Sequence, residues 1–274
     1  MAHVLIATDM SANALNAALY AIRLFGVEGN SFPLLTTYQA PPDVPGQPAI
    51  PADLSARISI EGLEAFAQRL LDALPEPAPD LATVSAYGPL ENVLRDMVED
   101  QEAPQLVVMG THGSSALEKV LMGSTTAALI KSGILPILAV PTAATYQDPK
   151  RIVLADDGGP IERTTLLPLL DIARWSRSEV MIVHVVPEGR ETDEETSNTA
   201  YDLHLGAIPH TYHSVSGDNV MVALNDLIDQ SDSDMAVVVH RHRGLIDQLF
   251  HKSVATDLAL HTRIPLLVLQ QEKA

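Results

Sequence analysis

The sequence predicts an α/β fold with two open, parallel, five-stranded sheets in tandem and helices on both faces of each. Three observations support this prediction. Short apolar runs rich in β-branched residues alternate with amphipathic helical stretches, the alternation restarts near residue 150, and no apolar run exceeds strand length. Strands that alternate with helices form parallel sheets through right-handed crossovers. The 274 residues are enough for two domains, each with its own core.

The elements of the first half follow from local patterns. Apolar runs predict strands at 4–7, 32–38, 82–87, 106–109 and 137–140, and helical periodicity predicts helices at 14–25, 54–74 and 90–100. Ser11 or Asn13 can cap the first helix, in which Leu15, Leu19 and Ile22 share an apolar stripe with Ala18 and Phe25. Residues 40–51 are too rich in proline for an element of their own, so we expect a loop there.

The most informative stretch is 106–141. Its first strand ends at Gly110, and Gly113 follows, so the backbone can turn sharply and approach a ligand closely. After a short predicted helix, Gly123 precedes Ser124 at or beside the N-terminus of a helix that stops at Gly133. The N–H groups and the dipole of a helix N-terminus favour an anion. The stretch therefore indicates an anion-binding loop at the carboxyl end of a parallel strand, although each glycine alone could be only a turn residue and Ser124 only a cap.

The chain repeats itself after a linker at 141–150. Residues 151–157 match 3–9 at an offset of 148, and 179–187 match the second strand. Residues 235–240 align with 105–110 at an offset of 130, and 264–269 with 135–140 at an offset of 129. We therefore predict two domains, 1–144 and 149–274, of which the second has a shortened second helix and one residue fewer in its glycine loop.

The glycine loop is altered in the second half. In this alignment the glycines at 110, 113 and 123 are replaced by His240, by His242 or Arg243, and by Lys252, whereas Ser253 matches Ser124. Side chains at these positions would block close backbone approach. The sequence therefore predicts one intact site, in the first half.

The second half offers two alternatives to a nucleotide. Its histidines could hold a metal, although no spacing is diagnostic, and His184 within a strand is more typical of a satisfied core residue. A basic cluster could instead hold an anion or an acidic partner, or form a solvated loop. The residues concerned are His240, His242, His251 and His261 for a metal, and Arg241, Arg243 and Lys252 for an anion.

The amino-acid composition limits the classes of binding partner that the chain can have. The net charge of −18 disfavours nucleic acid and anionic membranes, so we expect neither as a partner. With no cysteine, the chain has no disulfide framework and no thiolate metal site. The N-terminus enters a strand directly, without the basic region of a signal peptide, so we expect a soluble, cytoplasmic protein.

The spacing Gly110-x-x-Gly113, nine residues, then Gly123-Ser124, between two buried strands, resembles the nucleotide-binding signature of the universal stress protein family. The first strand ending at Asp9 and the turn at 88–91 are also similar to that family. The resemblance implies a tandem, Rossmann-like pair of domains, similar to adenine nucleotide alpha hydrolases and related by a pseudo-two-fold axis. It also implies a stress-response role in which ATP binds the first domain.

The resemblance assigns roles by position. Asp9 would accept a hydrogen bond from the adenine or ribose, and Thr37 would lie near the base. The phosphates would be cradled by the Ser124 hydroxyl and by backbone N–H groups, namely those of Gly110, Gly113, Gly123, Ser124 and Thr125. Mg²⁺ or Mn²⁺ would be carried on the phosphate oxygens. Thr36-Thr37 departs from the usual His-Val of the family, so the base contacts are the least defined. The implied site residues are Ala7, Thr8, Asp9, Thr37, Met109, Gly110, Gly113, Gly123, Ser124, Thr125 and Thr126.

The sequence contains no recognisable hydrolytic constellation, such as a Walker A or nucleophile-elbow motif. The leading hypothesis is therefore a nucleotide-binding regulator or partner-binding module. The alternatives are a slow ATP hydrolase or transferase and a nucleotide-free interaction scaffold. The last strands of the two halves would be sheet edges that need cover, so the halves could pair within one chain, and a further homodimer is possible.

Overall fold

The structure is a computed structural model that describes residues 3–39, 51–75, 77–79, 81–111, 123–156, 160–186, 194–216, 220–241 and 264–271. The predicted loop at 40–50 and the short helix predicted between Gly113 and Gly123 lie outside these ranges. The elements in chain order are β1 (Val4–Ala7), α1 (Ala12–Phe25), β2 (Leu34–Tyr38), α2 (Ala52–Asp72), β3 (Thr83–Tyr87), α3 (Leu90–Glu99), β4 (Leu106–Gly110), α4 (Ser124–Ser132), β5 (Ile137–Val140), β6 (Arg151–Asp156), α5 (Arg163–Ser176), β7 (Glu179–Val186), α6 (Glu194–Leu205), β8 (His210–Ser216), α7 (Val220–Gln230), β9 (Met235–His240) and β10 (Leu266–Gln270).

Each half is a parallel five-stranded sheet, as the sequence predicts. The strand order is β3-β2-β1-β4-β5 in the first half and β8-β7-β6-β9-β10 in the second, which is the same topology twice. All pairings within each half are parallel. The predicted α/β class with tandem parallel sheets is therefore confirmed.

The strand registers correct the predicted alignment of β9. Val4 pairs with Leu106 in the first half, and Ile152 pairs with Met235 in the second. Because Ile152 corresponds to Val4 at an offset of 148, Met235 corresponds to Leu106 at an offset of 129, so the predicted offset of 130 was wrong by one residue. The hydrogen bonds to the adjacent strand give the same offset. Val107 N donates to the Pro136 carbonyl in the first half, and Ala236 N donates to the Pro265 carbonyl in the second.

Two conclusions about the second loop change with this register. The counterpart of Gly110 is Val239, and His240 corresponds to Thr111. A single offset of 129 holds from β4 to β5 and from β9 to β10, so the second half has not lost a residue in the loop between them. The glycine at position 110 is still replaced by a side-chain-bearing residue.

The two halves meet edge to edge. β5 and β10 pair antiparallel, with Leu138 opposite Leu267, and the ten strands form one sheet. The strand order reads the same from either edge, which is the arrangement that a pseudo-two-fold axis at the β5–β10 pair produces. A buried apolar strand that would otherwise be a sheet edge is covered in each half.

Helices cover both faces of this sheet. On one face α1, α2, α5 and α6 pack over a core that includes Tyr20, Phe66, Leu169 and Tyr201. On the other face α3, α4 and α7 pack over a second core that includes Leu94, Leu129 and Leu224. The second helix of the repeat is 21 residues long in the first half and 12 in the second.

The helix ends that matter for the site follow the sequence. Ser11 caps α1, its side-chain oxygen accepting from Ala14 N, and α1 begins two residues before the predicted start. α4 begins at Ser124 and ends at Gly133, which has φ 65° in the left-handed region that glycine tolerates. Within the described residues, no helix combines the length and apolar character needed to cross a bilayer.

Candidate functional site

A cleft of about 260 Å³ opens at the carboxyl ends of β1, β2 and β4 in the first half. The chain leaves β1 for β2 on one side and returns to β4 on the other, so the cleft lies where the strand order reverses. Ligands of open α/β sheets bind at such switch points. The residues that line it are Ala7, Thr8, Asp9, Ala14, Leu35, Thr36, Thr37, Leu90, Met109, Gly110, Gly123, Ser124, Thr125 and Thr126.

Three side-chain acceptors stabilise the turn from β1 into α1. Thr8 Oγ1 accepts from Met10 N over 2.9 Å, Asp9 Oδ1 from Ser11 N over 3.1 Å, and Ser11 Oγ from Ala14 N over 3.1 Å. Met10 has φ 63°, a conformation that is uncommon for a residue other than glycine. These hydrogen bonds stabilise the turn, so the side chains of Thr8 and Asp9 are fixed at the edge of the cleft.

Helix α2 braces the same turn from outside. Arg69 Nη2 donates to the Met10 carbonyl over 2.9 Å. The Met10 sulfur packs on Gly62, where a Cβ would lie 2.8 Å from it. A larger residue at position 62 would therefore require the Met10 side chain to move.

Gly110 is required by the fold as well as by any ligand. A Cβ at this position would overlap the side-chain amide of Asn13, which is buried in α1. The close approach of α1 to the end of β4 therefore depends on glycine. The sequence had attributed this glycine to a sharp turn and to approach by a ligand, and the contact with Asn13 is an additional reason.

Two hydrogen bonds fix the start of α4 to the end of β4. The buried Thr126 hydroxyl donates to the Gly110 carbonyl over 3.0 Å, and Gly123 N donates to the Thr111 carbonyl. The Gly123 N–H is thus directed to the protein backbone and not to the cleft, which differs from the role that the sequence predicted for it. The Thr126 hydroxyl therefore holds the first turn of α4 against the end of β4.

The first turn of α4 presents backbone donors to the cleft. The first hydrogen bond of the helix runs from Ala127 N to the Gly123 carbonyl, so the N–H groups of Ser124 and Thr125 precede the helical ladder. Gly123, the residue before the helix, has no side chain that could cap them. Together with the helix dipole, these N–H groups favour an anionic ligand group, although the chain as a whole carries a net charge of −18.

The cleft combines an apolar wall with hydroxyls. Leu35, Leu90 and Met109 supply the apolar surface, and Thr8, Thr36 and Thr37 supply hydroxyl groups. This chemistry suits a ligand with a flat apolar part and an anionic part that reaches the start of α4. Among the described residues, no three His, Cys, Asp or Glu side chains form a group that could hold a metal ion.

The structure brings together ten of the eleven predicted site residues in this cleft, and Gly113 lies outside the described residues. Four further lining residues were not predicted. The alternation of side chains along a strand, which puts Leu35 on the same face as Thr37, could have found the first of them. The others are Ala14, Thr36 and Leu90.

The corresponding edge of the second half contains buried charges. Asp156, at the end of β6, is fully buried, and its Oδ1 accepts from Nη1 and Nη2 of Arg241, both over 3.3 Å. Its Oδ2 lies 3.1 Å from His184 Nδ1. Burial lowers the pKa of Arg241, and the charge of Asp156 opposes this shift.

A polar chain extends from this group toward β8. His184 Nε2 is 2.7 Å from Asn198 Oδ1, and the hydroxyl of Tyr212 donates to the Asn198 carbonyl over 2.9 Å. The single proton of the Tyr212 hydroxyl is shared with Asp202 Oδ1, which lies 2.8 Å from the hydroxyl oxygen, and His210 Nε2 lies 2.9 Å from the same carboxylate oxygen. The hydrogen bonds from His210 and then Tyr212 lower the pKa of Asp202.

The predicted alternatives for the second half are resolved only in part by these contacts. His184 is buried and has polar neighbours, as expected of a core histidine. His240 is also buried, and its Nδ1 lies 2.8 Å from Gln270 Oε1. The remaining members of the proposed metal and anion clusters, His242, Arg243, His251, Lys252 and His261, lie outside the described residues.

These features define a tandem, doubly wound α/β protein with an open cleft at the switch point of its first half. The model of the universal stress protein family matches residues 1–141 and 149–270, so the chain belongs to that family. The two matches cover the two halves seen in the sheet.

Individual relatives agree with this assignment. A universal stress protein of Mycolicibacterium smegmatis is 25% identical over 195 residues, which is 66% of this chain and 66% of that protein. Universal stress protein Rv2005c of Mycobacterium tuberculosis is 24% identical over 191 residues, or 64% and 65% of the two chains. The chain thus spans just under two thirds of the length of these relatives.

A solved structure shares the fold over almost the whole chain. A universal stress protein from Archaeoglobus fulgidus DSM 4304 superposes with a TM-score of 0.73 at 16% identity, covering 98% of both chains. At this identity the likeness concerns the fold alone.

Proposed function

We propose that the first half of this universal stress protein binds an adenine nucleotide, ATP, in the cleft at the ends of β1, β2 and β4. The observation that supports this most directly is the convergence of the start of α4 with Thr8, Asp9 and Thr37 on one cleft. The N–H groups of Ser124 and Thr125 would receive the phosphates, and Asp9 would accept from the adenine or ribose. Occupancy of the cleft would set conformation or partner choice during stress, in the cytoplasm.

The residues present fit such a ligand in chemistry. Apolar side chains at the ends of β2 and β4 can cover a base, and the helix N-terminus can neutralise phosphate charge without a basic side chain. Mg²⁺ or Mn²⁺ would then be held by the phosphate oxygens, since Mg²⁺ is commonly bound through substrate phosphates rather than an all-protein cage.

The assembly belongs to the same proposal. Pairing of β5 with β10 within one chain would produce in a monomer the contact that two separate subunits would otherwise make. A further homodimer would then need a different surface.

A thermal-shift series tests nucleotide binding. A ligand that binds only the folded state raises the melting temperature with its concentration. We expect ATP with Mg²⁺ to raise it more than inorganic triphosphate, which lacks the base, and more than adenosine, which lacks the phosphates. An unchanged melting temperature in excess ATP would contradict the proposal and favour the nucleotide-free scaffold.

A phosphate-release assay tests the hydrolase alternative. The described part of the cleft contains Asp9 as its carboxylate and no histidine, so we expect ATP turnover to be slow and incidental. Sustained phosphate release above background that disappears in Gly123→Val would instead favour the hydrolase. Release that persists in that variant would indicate a contaminating enzyme.

A further inference from the structure

A carboxylate, a guanidinium and an imidazole meet at the carboxyl ends of β6, β9 and β7. The carboxylate of Asp156 lies between the guanidinium of Arg241, 3.3 Å away, and the imidazole of His184, 3.1 Å away. The Asp156 side chain is 0% exposed, that of His184 is 2% exposed and that of Arg241 is 12% exposed. This buried charged cluster, named here the Asp156 cluster, has no role in the proposed nucleotide site.

The same positions of the first half hold hydroxyls that line the cleft. Asp156 corresponds to Thr8 at the repeat offset of 148, and it pairs with His184 across β6 and β7. In the first half Ile6 pairs with Leu34, so the residue beside Thr8 is Thr36. Where the first half has two cleft-lining threonines, the second half therefore has a carboxylate and an imidazole.

We propose that Asp156 is a built-in anion of the second half, and that with Arg241 and His184 it determines that this half takes no external nucleotide. The guanidinium of Arg241 already has a buried counter-anion, the carboxylate of Asp156. In the first half the threonines at the corresponding positions line the cleft, whereas here Asp156 and His184 lie against one another and against Arg241. The proposal rests on the proposed function only where it treats the first half as the ligand-binding one.

The energetics of a buried ion pair also explain why the Asp156 cluster would be retained. Removing one partner of a buried ion pair leaves an uncompensated charge, whereas replacing the whole group by neutral side chains can be close to neutral for stability. Asp156 and Arg241 are therefore each needed as long as the other is present. The first half shows that threonines are compatible with the β6 and β7 positions of this fold.

Chemical complementation tests the built-in anion. Asp156→Ala in the full chain removes the carboxylate and leaves space for a small one, so formate is the probe and chloride at equal ionic strength is the control. We expect Asp156→Ala to melt at a lower temperature than the natural chain in chloride and to regain part of that loss in formate. Asp202→Ala, which removes a carboxylate with a 62% exposed side chain, should show no formate-specific gain.

The result that would overturn the proposal is a folded Asp156→Ala chain that gains no more from formate than from chloride, or one that melts like the natural chain. If Asp156→Ala does not fold, the triple variant Asp156→Thr, His184→Thr, Arg241→Met provides the test of the proposal. We expect the triple variant to fold and to melt above Asp156→Thr alone. A triple variant no more stable than the single one would also overturn the proposal. Neither readout involves ATP, so failure of the proposed function would be seen separately, in the titration of the natural chain.

Discussion

The imidazole of His240 lies directly against Gly133, so that a Cβ on Gly133 would come within 3.0 Å of His240 Nδ1. Gly133 ends α4, whose first turn lines the cleft of the first half. His240 ends β9 in the second half, immediately before Arg241 of the Asp156 cluster. One short helix therefore touches the candidate site at its start and the other half of the chain at its end.

The first prediction concerns Gly133→Ala. Gly133 has φ 65°, which costs an L-residue about 1–2 kcal/mol, and the new methyl group would also press on His240. Gly206→Ala is the matched control, because Gly206 has φ 58° with no atom within 4 Å of the added Cβ. We expect urea denaturation to show a larger loss for Gly133→Ala. Equal losses would mean that the His240 contact relaxes at no cost.

The second prediction concerns Gly110 and Asn13. The Cβ of Gly110→Ala would overlap the Asn13 side chain, and overpacking of this kind costs about 1–3 kcal/mol. Asn13→Ala removes the obstructing amide, so the double variant should be more stable than the sum of the two single effects implies. A double-mutant cycle in urea measures this coupling. Strict additivity would contradict the proposed overlap.

The third prediction concerns the hydroxyl of Thr126. Thr126→Val keeps the shape of the side chain but removes the donor to the Gly110 carbonyl, and an unmade buried hydrogen bond costs about 1–3 kcal/mol. We expect lower stability and weaker ATP binding, because the start of α4 loses its anchor. Thr164→Val, at an exposed threonine of α5, should change neither by more than about 0.5 kcal/mol. Loss of stability with unchanged ATP affinity would show that Thr126 does not position the helix for the ligand.

The fourth prediction concerns pH. The pKa of Asp202 lies below its ordinary value of 3.8, first because of His210 and then because of Tyr212. A carboxyl whose pKa is depressed on folding adds stability above its unfolded pKa and loses it as the pH falls through the folded pKa. NMR titration should therefore give Asp202 a midpoint below 3.8, raised toward that value by His210→Gln and less by Tyr212→Phe. A midpoint that neither substitution moves would contradict these contacts.

Much of the site was predictable from sequence because it is built from local signals. The glycines that begin and end α4, the cap at Ser11 and the aspartate after β1 are each recognised from the few residues around them. Their convergence follows from parallel topology, which puts the carboxyl ends of β1, β2 and β4 on one edge of the sheet. The strand order alone therefore brings these distant segments together.

The register of β9 was not predictable in the same way. Both β4 and β9 are buried on both faces, so their sequences are continuous apolar runs without an alternation that would distinguish one register from the next. Sliding MAVVVH by one residue against LVVMG costs nothing in apolar pattern. The pairing of Ile152 with Met235 and the hydrogen bond from Ala236 N to the Pro265 carbonyl decide it.

The Asp156 cluster was missed for a different reason. Asp156 and His184 lie on two strands and Arg241 directly follows a third, and Asp156 and Arg241 are 85 residues apart in the chain. Nothing local to Arg241 distinguishes a buried partner of Asp156 from a solvated loop cation, so the sequence left an anion, an acidic partner and a solvated loop open for it. The contact arises from the order β9-β6-β7 in the sheet.

The central claim is that the chain has one nucleotide site, in the first half. Isothermal titration of the purified, nucleotide-stripped protein with ATP and Mg²⁺ tests it most directly, with Gly123→Val as the site variant and Gly206→Ala as the control. The account predicts saturable binding near one ATP per chain, lost in Gly123→Val and kept in Gly206→Ala. Two equivalents of ATP, or no binding at all, would contradict it.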